Sequence, residues 1–398
     1  MTDRGSAVNR LRLLQGGDAL VQALVAAIDA ARVCVHIETY LFDWRGSSES
    51  LAQALIRAAL RGVQVRVLVD GVGSAPTPQD WAQRLAQAGV QWQRYNPVVG
   101  LGWLRPGQWR RLHRKLALVD DTVAFCGGIN FIDDHWTESG ERIDRPRFDF
   151  AVQIHGPLVA KVHAAVNRLW WRVQWGQQLR RRDWDAAWTA LRQARDHEPA
   201  LSVHASEVAQ AELVLRDNLR NRNLIEHRYH RALARAQREV WIANAYFLPG
   251  RRLRQGLIAA ARRGVGVHLL LQGRYDNFWQ YHATRAMYGA LLRAGVQICE
   301  YQASFLHAKV AVVDGHWATV GSSNLDPLSL LLAREANVVV QDRAFARQLR
   351  RALEHASAHD ARPVTLADLA RRSLWRRVLD HAALWLMRTI LILTGRRY

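Results

Sequence analysis

The chain has 398 residues, 49% hydrophobic and 23% charged, with a formal charge of +20 and sixteen tryptophans. That length suits two or three domains, and the composition excludes disorder, collagen and a disulfide-stapled mini-protein. The charge asks for an anionic partner, nucleic acid or an acidic membrane, and the tryptophans lean toward the headgroup layer of a membrane.

Taken in chain order, residues 1–15 are polar and Arg-bearing and predict no signal peptide. Residues 19–31 read as an amphipathic helix, residues 33–42 (VCVHIETYLF) as a strand, and residues 51–62 as a helix ending on glycine. Val63, Val65, Val67 and Val69 alternate as a strand does. Residues 98–109 (VVGLGWLRPGQW), rimmed by Arg110, Arg111 and Arg114, read as an apolar membrane foot. Residues 113–130 carry the first copy of a His/Lys/Asp motif. Residues 170–197, rich in Arg and Trp, predict a helical connector.

The pattern then repeats. Residues 240–248 (VWIANAYFL) answer the first strand, 253–272 answer 51–70, and 307–324 answer 113–130. Residues 277–281 (NFWQY) take a loop position corresponding to the membrane foot. The tail from 361 holds an apolar run, 382–393, broken by Arg388 and flanked by Arg371, Arg372, Arg376, Arg377, Arg396 and Arg397, with Trp375 and Trp385. It is too short to span a bilayer and predicts a helix lying in the interface.

Alternating helices and strands in two copies predict an α/β fold class: two repeated sandwich halves about a pseudo-twofold, sharing one site. The expected divisions are 1–168 (first half), 169–205 (connector), 206–360 (second half) and 361–398 (basic amphipathic membrane-associating tail). Cys34, Cys126 and Cys299 lack CxxC spacing, which argues against disulfides or structural zinc and suits a reducing cytosol.

The two motifs are His113, Lys115, Asp120, Asn130 and His307, Lys309, Asp314, Asn324, at identical internal spacing. Lysine occurs only three times among 55 basic residues, and two of the three stand here. On a strand, residues i and i+2 share a face, so imidazole and ammonium project together. Two such pairs meeting at the pseudo-twofold make one site: a histidine to attack phosphorus, the other to protonate the leaving alkoxide, lysines for phosphate oxygens. Asn130, Asn324 and Ser322 add polar groups. Asp120 and Asp314 belong to the motif set, but their odd separation from the histidines places them on the opposite face as turn or framework residues. Asp149 and Glu335, each following a motif, are candidates for the carboxylate that fixes a histidine tautomer. No HxH, HExxH or DxD accompanies these histidines, so no metal and no cofactor is expected.

Paired HxK(x4)D motifs resemble the phospholipase D superfamily. Residues 118–130 (LVDDTVAFCGGIN), 240–250 (VWIANAYFLPG) and 317–330 (WATVGSSNLDPLSL) resemble bacterial cardiolipin synthases, most closely their B type. The resemblance spans roughly residues 10–350. It implies two phospholipase D-like halves and metal-independent transfer of a phosphatidyl group from phosphatidylglycerol through a phosphohistidine. By this analogy His113 is the nucleophile, and His307 protonates glycerol and then activates a second lipid. Many such synthases carry two N-terminal membrane-spanning helices; this sequence departs from them, which implies a peripheral protein on the cytoplasmic face of the cell membrane. The expected partners are an anionic phospholipid membrane and phosphatidylglycerol or a related lipid, with no nucleic acid. The alternatives are a phospholipase D-type hydrolase or a nuclease of the same superfamily.

Overall fold

The computed structural model describes residues 8–74, 76–98, 100, 106–137, 141–196, 211–217, 221, 223–275, 278–326 and 333–393. The first half runs β1 (Arg10–Gln15), α1 (Gly17–Ala30), β2 (Cys34–Thr39), α2 (Ser47–Leu60), β3 (Gln64–Asp70), α3 (Gln79–Gln87) and β4 (Gln91–Tyr95). It closes with β5 (Arg111–Leu112), β6 (Lys115–Val119), β7 (Val123–Gly127) and β8 (Phe150–His155). Two helices follow, α4 (Leu158–Arg181) and α5 (Trp184–Asp196).

The second half repeats the plan with β9 (Ala211–Arg216), α6 (Leu224–Arg235), β10 (Glu239–Asn244), α7 (Arg251–Arg262), β11 (Gly266–Gln272) and α8 (Phe278–Arg293). Then come β12 (Gln297–Tyr301), β13 (Lys309–Val313), β14 (Trp317–Gly321), β15 (Ala333–Gln341) and α9 (Arg343–His359). The tail is β16 (Ala361–Val364), α10 (Leu366–Ala370) and α11 (Leu374–Leu393).

The first sheet has the order β1-β8-β7-β6-β2-β3-β4; the second matches it as β9-β15-β14-β13-β10-β11-β12. β16 extends the second sheet beside β12, and β5 crosses from the first half to pair with β15. Strand alternation sorts the side chains into layers. Leu116 and Leu118 of β6 face a core shared by both sheets, while Ala117 and Val119 face the outer core under α1 and α2. Val310 and Val312 of β13 join the shared core from the other sheet, with Val162 of α4 and Leu349 of α9 beside them. Burial of these aliphatic side chains, each contributing about 1.5–3 kcal/mol, holds the halves face to face.

Tight turns join β6 to β7 and β13 to β14. Asp120 and Asp121 have φ of 50° and 54°; Asp314 and Gly315 have 52° and 66°. Two consecutive positive φ values match the twist of a two-residue hairpin, and Asp tolerates the left-handed region better than most side chains.

Four expectations need adjustment. The boundary at 168/169 falls inside α4, whose Leu158, Val159, Val162 and Val166 belong to the shared core, so the connecting helix starts in the body. Phe278–Tyr281 forms the first turn of α8 instead of a loop, and Asn277 lies outside the described residues. The membrane-foot segment is described at 98, 100 and 106–109, and Trp109 is exposed; residues 99 and 101–105 lie outside the described residues. The tail helix docks as well as exposing an apolar face. Ala383, Leu384 and Met387 of α11 pack on Ala283 and Met287 of α8, and Asp380 accepts from His282 at 2.6 Å and pairs with Arg372 at 3.0 Å. Leu374, Trp375, Val378 and Trp385 are exposed on the same helix. Among the described residues, no helix is long and apolar enough to cross a membrane.

Candidate active site

Both motif histidines lie just before a central strand, at the meeting of the halves, and each reaches backbone of the opposite half. His113 N–H donates to Arg334 O at 3.0 Å, and His307 N–H donates to Phe148 O at 2.9 Å. These bonds fix which carboxylate stands beside which imidazole. Glu335, next to Arg334, has both oxygens at 3.0 and 3.1 Å from His113 Nδ1. Asp149, next to Phe148, has Oδ2 at 2.6 Å from His307 Nδ1. The carboxylate behind each histidine therefore comes from the other half.

Lys115 and Lys309 are buried at the starts of β6 and β13. Lys115 Nζ donates to His113 O at 2.8 Å, and Lys309 Nζ donates to His307 O. Lys309 Nζ also lies 2.9 Å from His307 Nδ1 and 4.0 Å from Asp149. Burial lowers the Lys115 ammonium to about 7, helped by the like charge of Lys309. A lysine so placed loses water and gains a strong preference for an incoming anion.

The two histidine–carboxylate pairs differ electrostatically. Burial lowers both imidazoles, His307 further because Lys309 and Lys115 add repulsion. Burial also acts on Glu335, but His113, Lys115 and the Ser322 hydroxyl outweigh it and hold this carboxyl below its ordinary value. Burial instead raises Asp149 to about 7. The His113–Glu335 pair thus carries one proton near neutrality, on Nδ1 facing the carboxylate, and leaves Nε2 bare. The His307–Asp149 pair takes up a second proton near pH 7, and such a titration belongs to the pair. With two protons on the pair, one lies between Asp149 Oδ2 and His307 Nδ1, 2.6 Å apart, and the other sits on Nε2.

Small residues set these contacts. A Cβ on Gly128 would lie 2.5 Å from Asp149 Oδ1. The second half has Ser322 at the matching position, and its hydroxyl donates to Glu335 and lies 3.3 Å from Ala336 O. Asn130 is buried, accepts from Leu41 N–H at 3.4 Å, and lines a small cavity with Arg147, Asp149 and His307. Asn324 is buried with its Oδ1 unpartnered among the described residues.

Asp120 and Asp314, members of the motif set, do not join the histidines. Asp120 accepts from the backbone N–H groups of Arg32, Val33 and Cys34 at 2.6, 2.7 and 2.9 Å. Asp314 does the same for Gln237, Arg238 and Glu239 at 3.0, 2.7 and 3.0 Å. Each ties its hairpin to the start of β2 or β10, and these bonds hold both carboxyls below the ordinary range despite some desolvation.

One aromatic escaped the sequence reading. The Tyr40 ring lies 5.0 Å from His113, and Lys115 Nζ stands 5.6 Å above it. The repeat carried no signal for it: Ala245 takes the place of Tyr40 after β10, and Tyr246 stands one residue further on.

A family described as cardiolipin synthase, PLD-like domain, matches residues 24–170 and 229–356. Cardiolipin synthase B of Salmonella typhi is 39% identical over 388 residues, 97% of this chain and 90% of its own. Cardiolipin synthase A of Pseudomonas putida is 33% identical over 362 residues, 90% of this chain and 71% of its own. Among solved structures, the phosphatidylserine synthase of Haemophilus influenzae Rd KW20 matches with a TM-score of 0.68 over 97% of both chains, at 12% identity, a likeness of fold.

Proposed function

The chain belongs to the PLD-like cardiolipin synthase family, and we propose that it is a phosphatidyltransferase making cardiolipin from two phosphatidylglycerol molecules by double displacement. The observation that carries this reading is geometric: the crossed pairs His113–Glu335 and His307–Asp149 meet in one site beside the buried Lys115 and Lys309.

In this reading His113 Nε2 attacks the phosphorus of the first lipid. The bond from phosphorus to the headgroup glycerol oxygen breaks, and His307 gives its Nε2 proton to that oxygen as glycerol leaves. His307, now a base, takes the proton from a hydroxyl of a second phosphatidylglycerol. That oxygen attacks the phosphohistidine, His113 is released, and cardiolipin forms. Lys115 and Lys309 meet the non-bridging phosphate oxygens, with Asn130 and Asn324 as amide donors. Glu335 and Asp149 orient the imidazoles, Ser322 steadies Glu335, and Asp120 and Asp314 act as framework. The division into halves at 1–168 and 206–360, joined by 169–205, is kept as a functional proposal with its connecting helix begun at Leu158.

For the membrane, α11 supplies the support. Its exposed Leu374, Trp375, Val378 and Trp385 lie among Arg376, Arg377 and Arg388, the arrangement of a helix resting in an anionic interface. The protein is thus read as peripheral, on the cytoplasmic face, with 361–398 as its membrane-associating tail and α11 both docked on α8 and turned to lipid.

The test is lipid mass spectrometry on purified protein with phosphatidylglycerol vesicles, beside His113→Ala. Cardiolipin and glycerol that disappear in the variant are expected. Phosphatidic acid alone would make the protein a hydrolase, and cardiolipin from the variant would remove His113 from its role.

A further inference from the structure

Away from the histidines, α8, β12 and β16 border, together with α10 and the start of α11, an open cavity of about 720 Å³. Five arginines line it, Arg285, Arg362, Arg371, Arg372 and Arg376, against two carboxylates, Glu300 and Asp368. Arg285 is a fixed floor: it is buried, 2.6 Å from Glu300, with its guanidinium 3.5 Å from the Tyr281 ring centroid. Arg362 is held by Asp368 at 3.2 Å, and Arg372 by Asp380 at 3.0 Å. Arg371 and Arg376 have no ion-pair partner among the described residues.

A concavity with surplus positive charge and a buried guanidinium at its floor concentrates anions. Arginine forks match the oxygens of phosphate in particular, and the volume lies in the range of small-ligand sites. None of the residues that line it belongs to the histidine site. We propose that this cavity is a second, non-catalytic binding site for a phosphate group. The ligand bridges Arg285 and Arg362 of the second half to Arg371, Arg372 and Arg376 of the tail, so occupancy ties the tail to the body. A lipid phosphodiester and inorganic phosphate offer the same oxygens, and the test separates them.

The experiment is amide hydrogen exchange on the full chain carrying His113→Ala, which stops lipid turnover and makes the result independent of the transfer reaction. The probes are inorganic phosphate, phosphatidylglycerol–phosphatidylcholine vesicles, and phosphatidylcholine vesicles alone. Binding is expected to slow exchange across residues 362–373 by about fivefold or more. Arg371→Ala with Arg376→Ala, two exposed positions, is expected to abolish the effect. Arg192→Ala with Arg195→Ala, the same charge removed from α5, is expected to keep it. Protection by both anionic probes, by the anionic vesicles alone or by phosphate alone supports the site and names its source. No slowing with either anionic probe, or equal slowing in the Arg371/Arg376 variant, overturns it.

Discussion

Gly128 and Ser322 occupy equivalent positions, yet one leaves room and the other supplies a hydroxyl. The difference follows the carboxylates: Asp149 presses against Gly128, while Glu335 accepts from Ser322. Gly128→Ala puts a methyl 2.5 Å from Asp149 Oδ1, so Asp149 must leave His307. We expect kcat to fall by about a hundredfold in initial-rate assays, with the melting curve little changed. The proton ledger of the pairs gives a pH prediction. As pH rises through about 7, the His307–Asp149 pair loses its second proton and Lys115 loses its charge, so the rate should fall on the alkaline side. Asp149→Asn should displace that limb in a pH–rate profile, whereas Glu335→Gln should lower phosphohistidine formation in rapid-quench experiments. Lys115 also affects stability. Its folded value of about 7 lies below its ordinary 10.5, so the unfolded chain holds more protons between them and stability rises with pH across that window. Lys115→Met should therefore be more stable than the parent at pH 7, and the gap in unfolding free energy from denaturant titration should shrink by about 3 kcal/mol toward pH 9.5.

At the scale of elements, the hairpins after β6 and β13 are held from outside. Asp120 ties one to the loop before β2, and Asp314 ties the other to the loop before β10. Asp120→Ala removes three charge-assisted acceptor contacts and should cost roughly 1.5–3 kcal/mol in urea unfolding, with the transfer rate per folded molecule largely kept. Because the folded carboxyl is depressed, this contribution is present above the ordinary carboxylate range and is lost as pH falls through the folded value. Period-two reasoning reached much of this from sequence: it put His113 and Lys115 on one face and Asp120 on the other. It could not pair Glu335 with His113, because that contact depends on how β15 meets β5 across the halves. It also cut α4 at residue 168, since the change to Arg and Trp there marks where the helix leaves the shared core, not where it begins.

For the whole molecule, the repeat made two similar sheets legible, and the motif spacing made one site at their junction legible. The face proposed to meet lipid was legible only as composition; docking divides α11 into a face on α8 and a face carrying Trp375 and Trp385. Trp375→Ala with Trp385→Ala should weaken vesicle flotation by about tenfold while leaving the thermal transition in place, because neither side chain is buried. The exchange of carboxylates between halves reaches further. Glu335 serves His113, and Asp149 serves His307, so the chemistry of each half is encoded in the sequence of the other. The halves are therefore bound to a common inheritance. A gene fragment for either one yields a histidine without its partner. A chimera that exchanges one half between distant relatives has to carry matched segments around 148–149 and 333–335, or it assembles a sheet pair with two idle imidazoles.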